Sequence, residues 1–178
     1  MPGVYLFKFE RLMDTRGFFV ETFQKERYSE LGIVEDFLQD NHSWSIKKTL
    51  RGLHYTCKKP QSQILTVISG LIFDVVVDLR KSSPSFGKWF GTYLGGNHHP
   101  QQVYMSHGFA HGYCVLSDEV HLHYKVSNAY DPKDERGLNW RDPEVAVKWP
   151  IENPIVKERD DNFPMLSQIN LNDFPSGL

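Results

Sequence analysis

Eight histidines, at positions 42, 54, 98, 99, 107, 111, 121 and 123, are the densest source of reactive groups in this 178-residue chain. Imidazole either ligates a metal such as Fe, Zn, Ni or Mn, or moves protons near neutral pH. His121 and His123 have the His-x-His spacing that places two rings on one strand face and could share a metal. No acidic ligand follows at short spacing, and two exposed histidines are the plainer alternative. His98 and His99 fall in a Gly/Asn/Pro loop, where solvation is expected. His54 and His111 differ, because each sits in a glycine-punctuated apolar frame, Leu50-Arg-Gly-Leu-His-Tyr55 and Gly108-Phe-Ala-His-Gly112. Such a histidine is either a satisfied core residue or a proton-transfer group. The second role needs a carboxylate to orient the ring and a proton donor on the other side of a substrate. Asp74, Asp160 and Tyr124 are of the right chemical type. No Gly-x-Ser-x-Gly, glycine-rich phosphate loop or Cys/His pairing competes with them. The residues alone point to a pocket for acid–base chemistry.

The elements that must position these groups are short strands. Period-two patterns run over residues 62–69, 71–79, 88–94, 102–105, 112–116 and 119–126, with turn chemistry between them at Ser69-Gly70, Ser82-Ser83-Pro84, Gly95-Gly96-Asn97, Ser106-His107-Gly108 and Asp131-Pro132. Many short strands without βαβ alternation predict a sandwich or barrel. Thr22 is positioned to cap one short helix over 23–31, which Gly32 would end. From Trp149 onward four prolines predict extended chain, with a short helix, laid over the barrel. In Leu71-Ile-Phe-Asp-Val-Val-Val-Asp-Leu79, alternation puts Phe73, Val75, Val77 and Leu79 on one face and Ile72, Asp74, Val76 and Asp78 on the other. Either that second face meets solvent, or both faces are covered and Asp74 lines a cavity. Tyr124 shares the apolar face of its strand with Val120 and Leu122.

Composition narrows the function classes. At 20.7 kDa the chain fits one domain, 1–178, and 40% hydrophobic residues suit a folded core. Aromatics at 13% favour a β-rich core or a ring-stacking pocket. A net charge of −2 without a basic run gives no footprint for nucleic acid. Two cysteines, Cys57 and Cys114, are too few for a disulfide framework and are expected buried and reduced. No apolar signal core or membrane-length segment is visible, so a cytoplasmic protein is expected.

Several segments together carry a family resemblance. Asp14-Thr-Arg-Gly-Phe-Phe-Val-Glu21, Gln39-Asp-Asn-His-Ser43, Leu50-Arg-Gly-Leu-His-Tyr55, Phe73-Asp-Val-Val-Val-Asp-Leu-Arg80, Ser83-Pro-Ser-Phe-Gly87, Gly108-Phe-Ala-His-Gly112, Leu116-Ser-Asp118 and Trp140-Arg-Asp-Pro143 resemble, in order, the nucleotide-sugar 3,5-epimerases. The resemblance implies an all-β, cupin-like jelly-roll barrel with a few short peripheral helices. It further implies a homodimer working without metal or redox cofactor on a nucleotide-diphosphate 4-keto-6-deoxy sugar. In that reading His54 is the general base, Asp160 its paired carboxylate and Tyr124 the proton donor, with His111 and Asp74 in the inner pocket. Arg16, Phe18 and Glu21 match residues that reach the diphosphate and base. Gln39, Asn41, Arg51, Tyr130, Glu135 and Arg159 are further contacts. The chemistry agrees: a C4 carbonyl acidifies the hydrogens at C3 and C5, a base removes one, and an acid returns it to the opposite face.

In one position the chain departs from the family. A lysine that would hold the C4 oxygen as it becomes an enolate is replaced, in Gln61-Ser-Gln-Ile-Leu65, by Gln63. An amide donates a hydrogen bond but brings no charge. Two alternatives to epimerisation at C3, C5 or both therefore stay open: a nucleotide-sugar-binding relative without turnover, and a 3,4-ketoisomerase on a related barrel.

Overall fold

Alternating side chains joined by tight turns build two facing sheets. The computed structural model describes residues 1–96 and 101–175, so Asn97, His98 and His99 of the sequence reading lie outside the described residues. The described strands are β1 (Val4–Lys8), β2 (Leu12–Asp14), β3 (Gly17–Phe19), β4 (Gln39–Ile46), β5 (Thr49–Thr56), β6 (Gln63–Ser69), β7 (Leu71–Asp78), β8 (Trp89–Gly95), β9 (Gln101–Met105), β10 (Phe109–Val115), β11 (Glu119–Val126), β12 (Glu135–Gly137) and β13 (Ile155–Val156). Two short helices, α1 (Lys25–Glu30) and α2 (Glu158–Asp161), lie outside the sheets. One sheet runs β1-β9-β6-β11-β4 and the other β12-β5-β10-β7-β8, with β13 added beside β5. This is the expected all-β jelly roll, its two sheets separately paired rather than closed into one barrel.

Three apolar layers hold the sheets. Between them pack Leu65, Ile72, Val76, Val103 and Leu122. The outer face of the second sheet, with Leu50, Leu53, Val75 and Val77, is covered by the C-terminal segment through Trp140, Trp149 and Ile169. On the outer face of the first sheet, Ile64 and Tyr104 meet Tyr28 of α1 and Ile33. Strand β7 is thus covered on both sides, and its Asp74 is only 1% exposed. That rules out the solvent-facing reading of Asp74, although the residue is buried without lining the cavity.

The structure moves several sequence boundaries. The helix starts at Lys25 rather than Phe23, because the Gln24 side chain, not Thr22, accepts from the Arg27 amide. Gly32, at φ +85°, lies just past its end. Strand β10 begins at Phe109 rather than Gly112. Strand β4 escaped the hydrophobic alternation because Asn41 and Ser43, on its inward face, are polar. The tail runs as expected, with β13 and α2 laid along β5.

One irregularity shapes the site. His111 pairs with His54 but Tyr113 pairs with Arg51, so Gly52 and Leu53 together oppose Gly112 alone. This bulge twists β5 and puts Arg51 and His54, three positions apart, on the same inward face. Glycine is required at the contact: a Cβ on Gly52 (φ +117°) would stand 2.6 Å from the Gly112 Cα and 2.7 Å from the His111 carbonyl oxygen.

Candidate active site

A cavity of about 360 Å³ opens between the sheets. From β5 and β10 it takes Arg51, His54, His111 and Tyr113; from the facing sheet it takes Asn41, Gln63 and Tyr124. Gln39, Tyr130, Glu135 and Arg159 also line it. The fold thus brings into one cavity residues spread from Gln39 to Arg159.

His54 is backed by a buried carboxylate. Its Nε2 lies 2.9 Å from Asp160 Oδ2, and Asp160, on α2, is buried behind it. The Gly52 amide also donates to Oδ2, at 3.2 Å, while Arg159 Nε donates to Oδ1 at 3.1 Å. Burial opposes the Asp160 charge, yet the hydrogen bonds from His54, Gly52 and Arg159 outweigh it and hold the carboxyl below its ordinary range. A carboxylate fixed in this way orients the imidazole and supports the positive charge it gains on taking a proton. The Phe163 and His54 rings pack nearly perpendicular, with centroids 5.6 Å apart.

Tyr124 reaches the cavity from β11, in the sheet opposite His54. Burial, reinforced by the neighbouring Tyr113, pushes its phenol above the ordinary range. It therefore stays protonated and able to donate. A sugar held between the sheets would meet an imidazole from one and a phenol from the other.

His111 forms a second histidine–carboxylate pair, Nε2 to Asp74 Oδ1 at 2.7 Å. Asp74 stands behind His111 rather than in the wall, and its Oδ2 is buried without a hydrogen-bond partner among the described residues. At the mouth, Arg159 is ion-paired with Glu135 and sits 3.1 Å from His54 through Nη2. Tyr130 donates its hydroxyl to the same Glu135 oxygen at 3.1 Å, and burial raises its phenol as well. The Gln39 amide donates to Asn41, and its oxygen accepts from the Tyr130 backbone, tying β4 to this rim. Arg51 is anchored by Ser45 Oγ at 3.0 Å. The Gln63 amide has no hydrogen-bond partner among the described residues.

Five expected site residues are not in this wall: Asp74 and Asp160 stand behind its histidines, and Arg16, Phe18 and Glu21 lie away from it. Arg16 pairs with Asp14 at 2.6 Å, Phe18 lies under the Arg11 guanidinium, and Glu21 pairs with Arg27. Arg16 and Phe18 belong to the exposed β2–β3 arm. Conversely, sequence reasoning missed Ser43, Gln61, Leu65, Gly112, Tyr113 and Val126. Alternation could have found Tyr113, two residues from His111 on the same strand face, and Ser43, two from Asn41.

The histidines outside the cavity take other partners. His121 stacks on His42, Nδ1 to Nε2 at 2.9 Å, and His123 turns to Asp40 at 3.5 Å. No group of three or more His, Cys, Asp or Glu side chains is arranged for a metal among the described residues. Both cysteines are buried, the Cys57 thiol donating to the carbonyls of Asn172 and Phe174. No described helix is long and apolar enough to cross a membrane.

The family model of dTDP-4-dehydrorhamnose 3,5-epimerase matches residues 1–168. The dTDP-4-dehydrorhamnose 3,5-epimerase of Shigella flexneri is 43% identical over 164 residues, covering 91% of this chain and 90% of its own. A dTDP-4-dehydrorhamnose 3-epimerase of Streptomyces niveus is 38% identical, covering 94% and 82%. Among solved structures, the dTDP-6-deoxy-D-glucose-3,5-epimerase of Legionella pneumophila, in complex with dTDP-4-keto-L-rhamnose, superposes with a TM-score of 0.95 at 38% identity, covering 98% of this chain and 94% of that one. Sequence, fold and cavity thus converge, and the chain belongs to the dTDP-4-dehydrorhamnose 3,5-epimerase family.

Proposed function

We propose that this protein epimerises a dTDP-4-keto-6-deoxy sugar at C3, C5 or both, in the cytoplasm, as a step in supplying a deoxysugar for a polysaccharide or glycoside. One observation carries the reading: the carboxylate-backed His54 and the protonated Tyr124 enter one cavity from facing sheets. His54 takes the proton made acidic by the C4 carbonyl, and Asp160 balances the resulting imidazolium. The electron pair moves onto the C4 oxygen to give an enolate. Tyr124 then returns a proton to carbon from the other face, inverting the centre. The Gln63 amide is the donor offered to the C4 oxygen, where a lysine would have offered charge. His111, held by Asp74, faces the sugar.

The nucleotide end is assigned to Gln39, Asn41, Arg51, Tyr130, Glu135 and Arg159, with Arg159 and Arg51 as the cations for the diphosphate. We extend this site across a homodimer. Leu12, Met13, Phe18 and Phe19 on the β2–β3 arm are 58–67% exposed, and a lone two-stranded arm with four bare apolar side chains gains stability by docking. In the dimer, Arg16 and Phe18 on the arm, with nearby Glu21, are offered to the partner's nucleotide. The mechanism uses protein donors throughout and needs no metal or redox cofactor.

Proton NMR in D₂O with candidate sugars tests the reading. Deuterium should enter at C3 or C5 of a dTDP-4-keto-6-deoxy sugar, and His54→Ala should abolish it. No exchange with any dTDP, CDP, GDP or UDP 4-keto sugar would overturn it in favour of a binding protein, and a carbonyl moved to C3 would make the protein a ketoisomerase.

A further inference from the structure

Asp160 and Arg159 address the same atom of His54. Asp160 Oδ2 is 2.9 Å from Nε2 and Arg159 Nη2 is 3.1 Å from it. A carboxylate only accepts a hydrogen bond and a guanidinium only donates one. If Nε2 carries a proton, it serves Asp160 and opposes an Arg159 N–H. If Nε2 is bare, it accepts from Arg159 and turns its lone pair toward a carboxylate oxygen. No single tautomer satisfies both neighbours. Only the Nε2–H tautomer leaves the other ring nitrogen, Nδ1, with the lone pair a base requires and Asp160 as its support.

Arg159 is held in this position from outside the ring. Its guanidinium is ion-paired with Glu135, which also accepts from Tyr130, and its Nε donates to the second Asp160 oxygen. The side chain is 42% exposed at the cavity wall, whereas the carboxyl of Asp160 is 3% exposed and fixed by the Gly52 amide. Of the two competitors, Arg159 is the one free to leave.

We infer that Arg159 couples the nucleotide end of the site to the base: a bound diphosphate draws the guanidinium off His54, and the ring settles as the Nε2–H tautomer hydrogen-bonded to Asp160. The inference rests on the proposed nucleotide-sugar reading and deepens it. A diphosphate presents several anionic oxygens in the fork geometry that a guanidinium matches, so it outcompetes the single Glu135 oxygen. Leaving also removes a positive group from beside a ring that must itself become positive. Binding energy from a part of the substrate that does not react is thereby spent on preparing the part that does. Arg159 acts here as a positioning residue, through His54.

The test follows the imidazole nitrogens of His54 by long-range proton–nitrogen NMR on the ¹⁵N-labelled full chain, assigned from the His54→Gln spectrum. Ligand-free protein should show His54 nitrogen shifts between the two neutral tautomers. Saturating dTDP, with binding confirmed by calorimetry on the same sample, should move them to the Nε2–H pattern. Arg159→Ala should show that pattern without ligand. A ligand-free wild type already in the full Nε2–H pattern, or bound dTDP that leaves the shifts unchanged, overturns the coupling while leaving the epimerase reading intact. Failure of dTDP, CDP, GDP and UDP alike to bind overturns both.

Discussion

His54 and His111 are direct register partners on β5 and β10, and each is backed by its own buried carboxylate, Asp160 or Asp74. The two pairs are not equivalent. Among the described residues Asp160 accepts from three groups, whereas Asp74 is held by His111 alone, with one oxygen unpartnered. A buried polar oxygen without a partner costs free energy, and the other oxygen's bond to His111 suits Asp74 to orienting that ring. Asp74→Asn should lower the exchange rate by on the order of 10²-fold, the scale of a misplaced reacting group, with the folded near-UV spectrum unchanged. Wild-type kcat in this variant would reduce the Asp74–His111 pair to a packing feature.

Tyr124→Phe removes the phenolic proton and leaves His54 and Asp160 in place. Wash-out of the C3 or C5 hydrogen into D₂O should persist while inverted product falls on the order of 10²-fold or more, because the base acts before the acid. The two quantities are read separately from one NMR time course. Equal loss of both would remove Tyr124 as a dedicated donor. Since burial raises this phenol, the wild-type rate should show no alkaline fall from Tyr124 at or below its ordinary range near pH 10.

The strands from β6 to β11 were legible because one or both faces are apolar and the turns between them carry glycine, serine or proline. Strand β4 was not, since its inward residues serve the cavity and are polar. The relation of Arg51 to His54 was also hidden. Strict alternation places them on opposite faces, and only the extra residue opposite Gly112 brings them together. Asp74 could be read either way from its strand, and what decided it was the facing sheet covering the face it shares with Ile72 and Val76, a contact between residues distant in sequence. The roles of Arg16, Phe18 and Glu21 came from resemblance alone. The chain holds them outside its cavity wall, and no residue pattern could say so. The competition of Arg159 and Asp160 for one nitrogen is a matter of tenths of an ångström, invisible to spacing.

Acid stability should depend on Asp78 beneath the β7–β8 turn. Burial would raise this carboxyl, but hydrogen bonds from Arg80, Ser83 and Ser85 prevail and bring it down to about 2. A depressed folded value means stability that is complete above the unfolded value near 4 and disappears as the pH falls through about 2. Lowering from the ordinary value to about 2 corresponds to about 2 kcal/mol at neutral pH. Asp78→Asn should therefore lower Tm by roughly 5 °C at pH 7, and the gap should narrow toward pH 2. A gap of the same size at both ends would assign the loss to packing instead of charge.

Gln63 is the substitution that most directly addresses rate. Its amide has no hydrogen-bond partner among the described residues, so it is available to the C4 oxygen, and Gln63→Lys would place an ammonium where the enolate charge develops. If enolate stabilisation limits the reaction, proton exchange on a dTDP-4-keto-6-deoxy sugar should rise on the order of tenfold or more, since an oxyanion donor is worth 10²–10³ in full. The gain should appear in kcat with little change in KM, because the charge being stabilised exists only in the transition state and the enolate. The opposing effect is desolvation: a lysine beside a sugar whose oxygen is held elsewhere gives up hydration without a partner. Exchange and inversion measured together in this variant decide between the two. Slower exchange than wild type would mean that the cavity has adapted to the amide, with its C4-oxygen contact moved toward His111 or Tyr113 on the facing sheet.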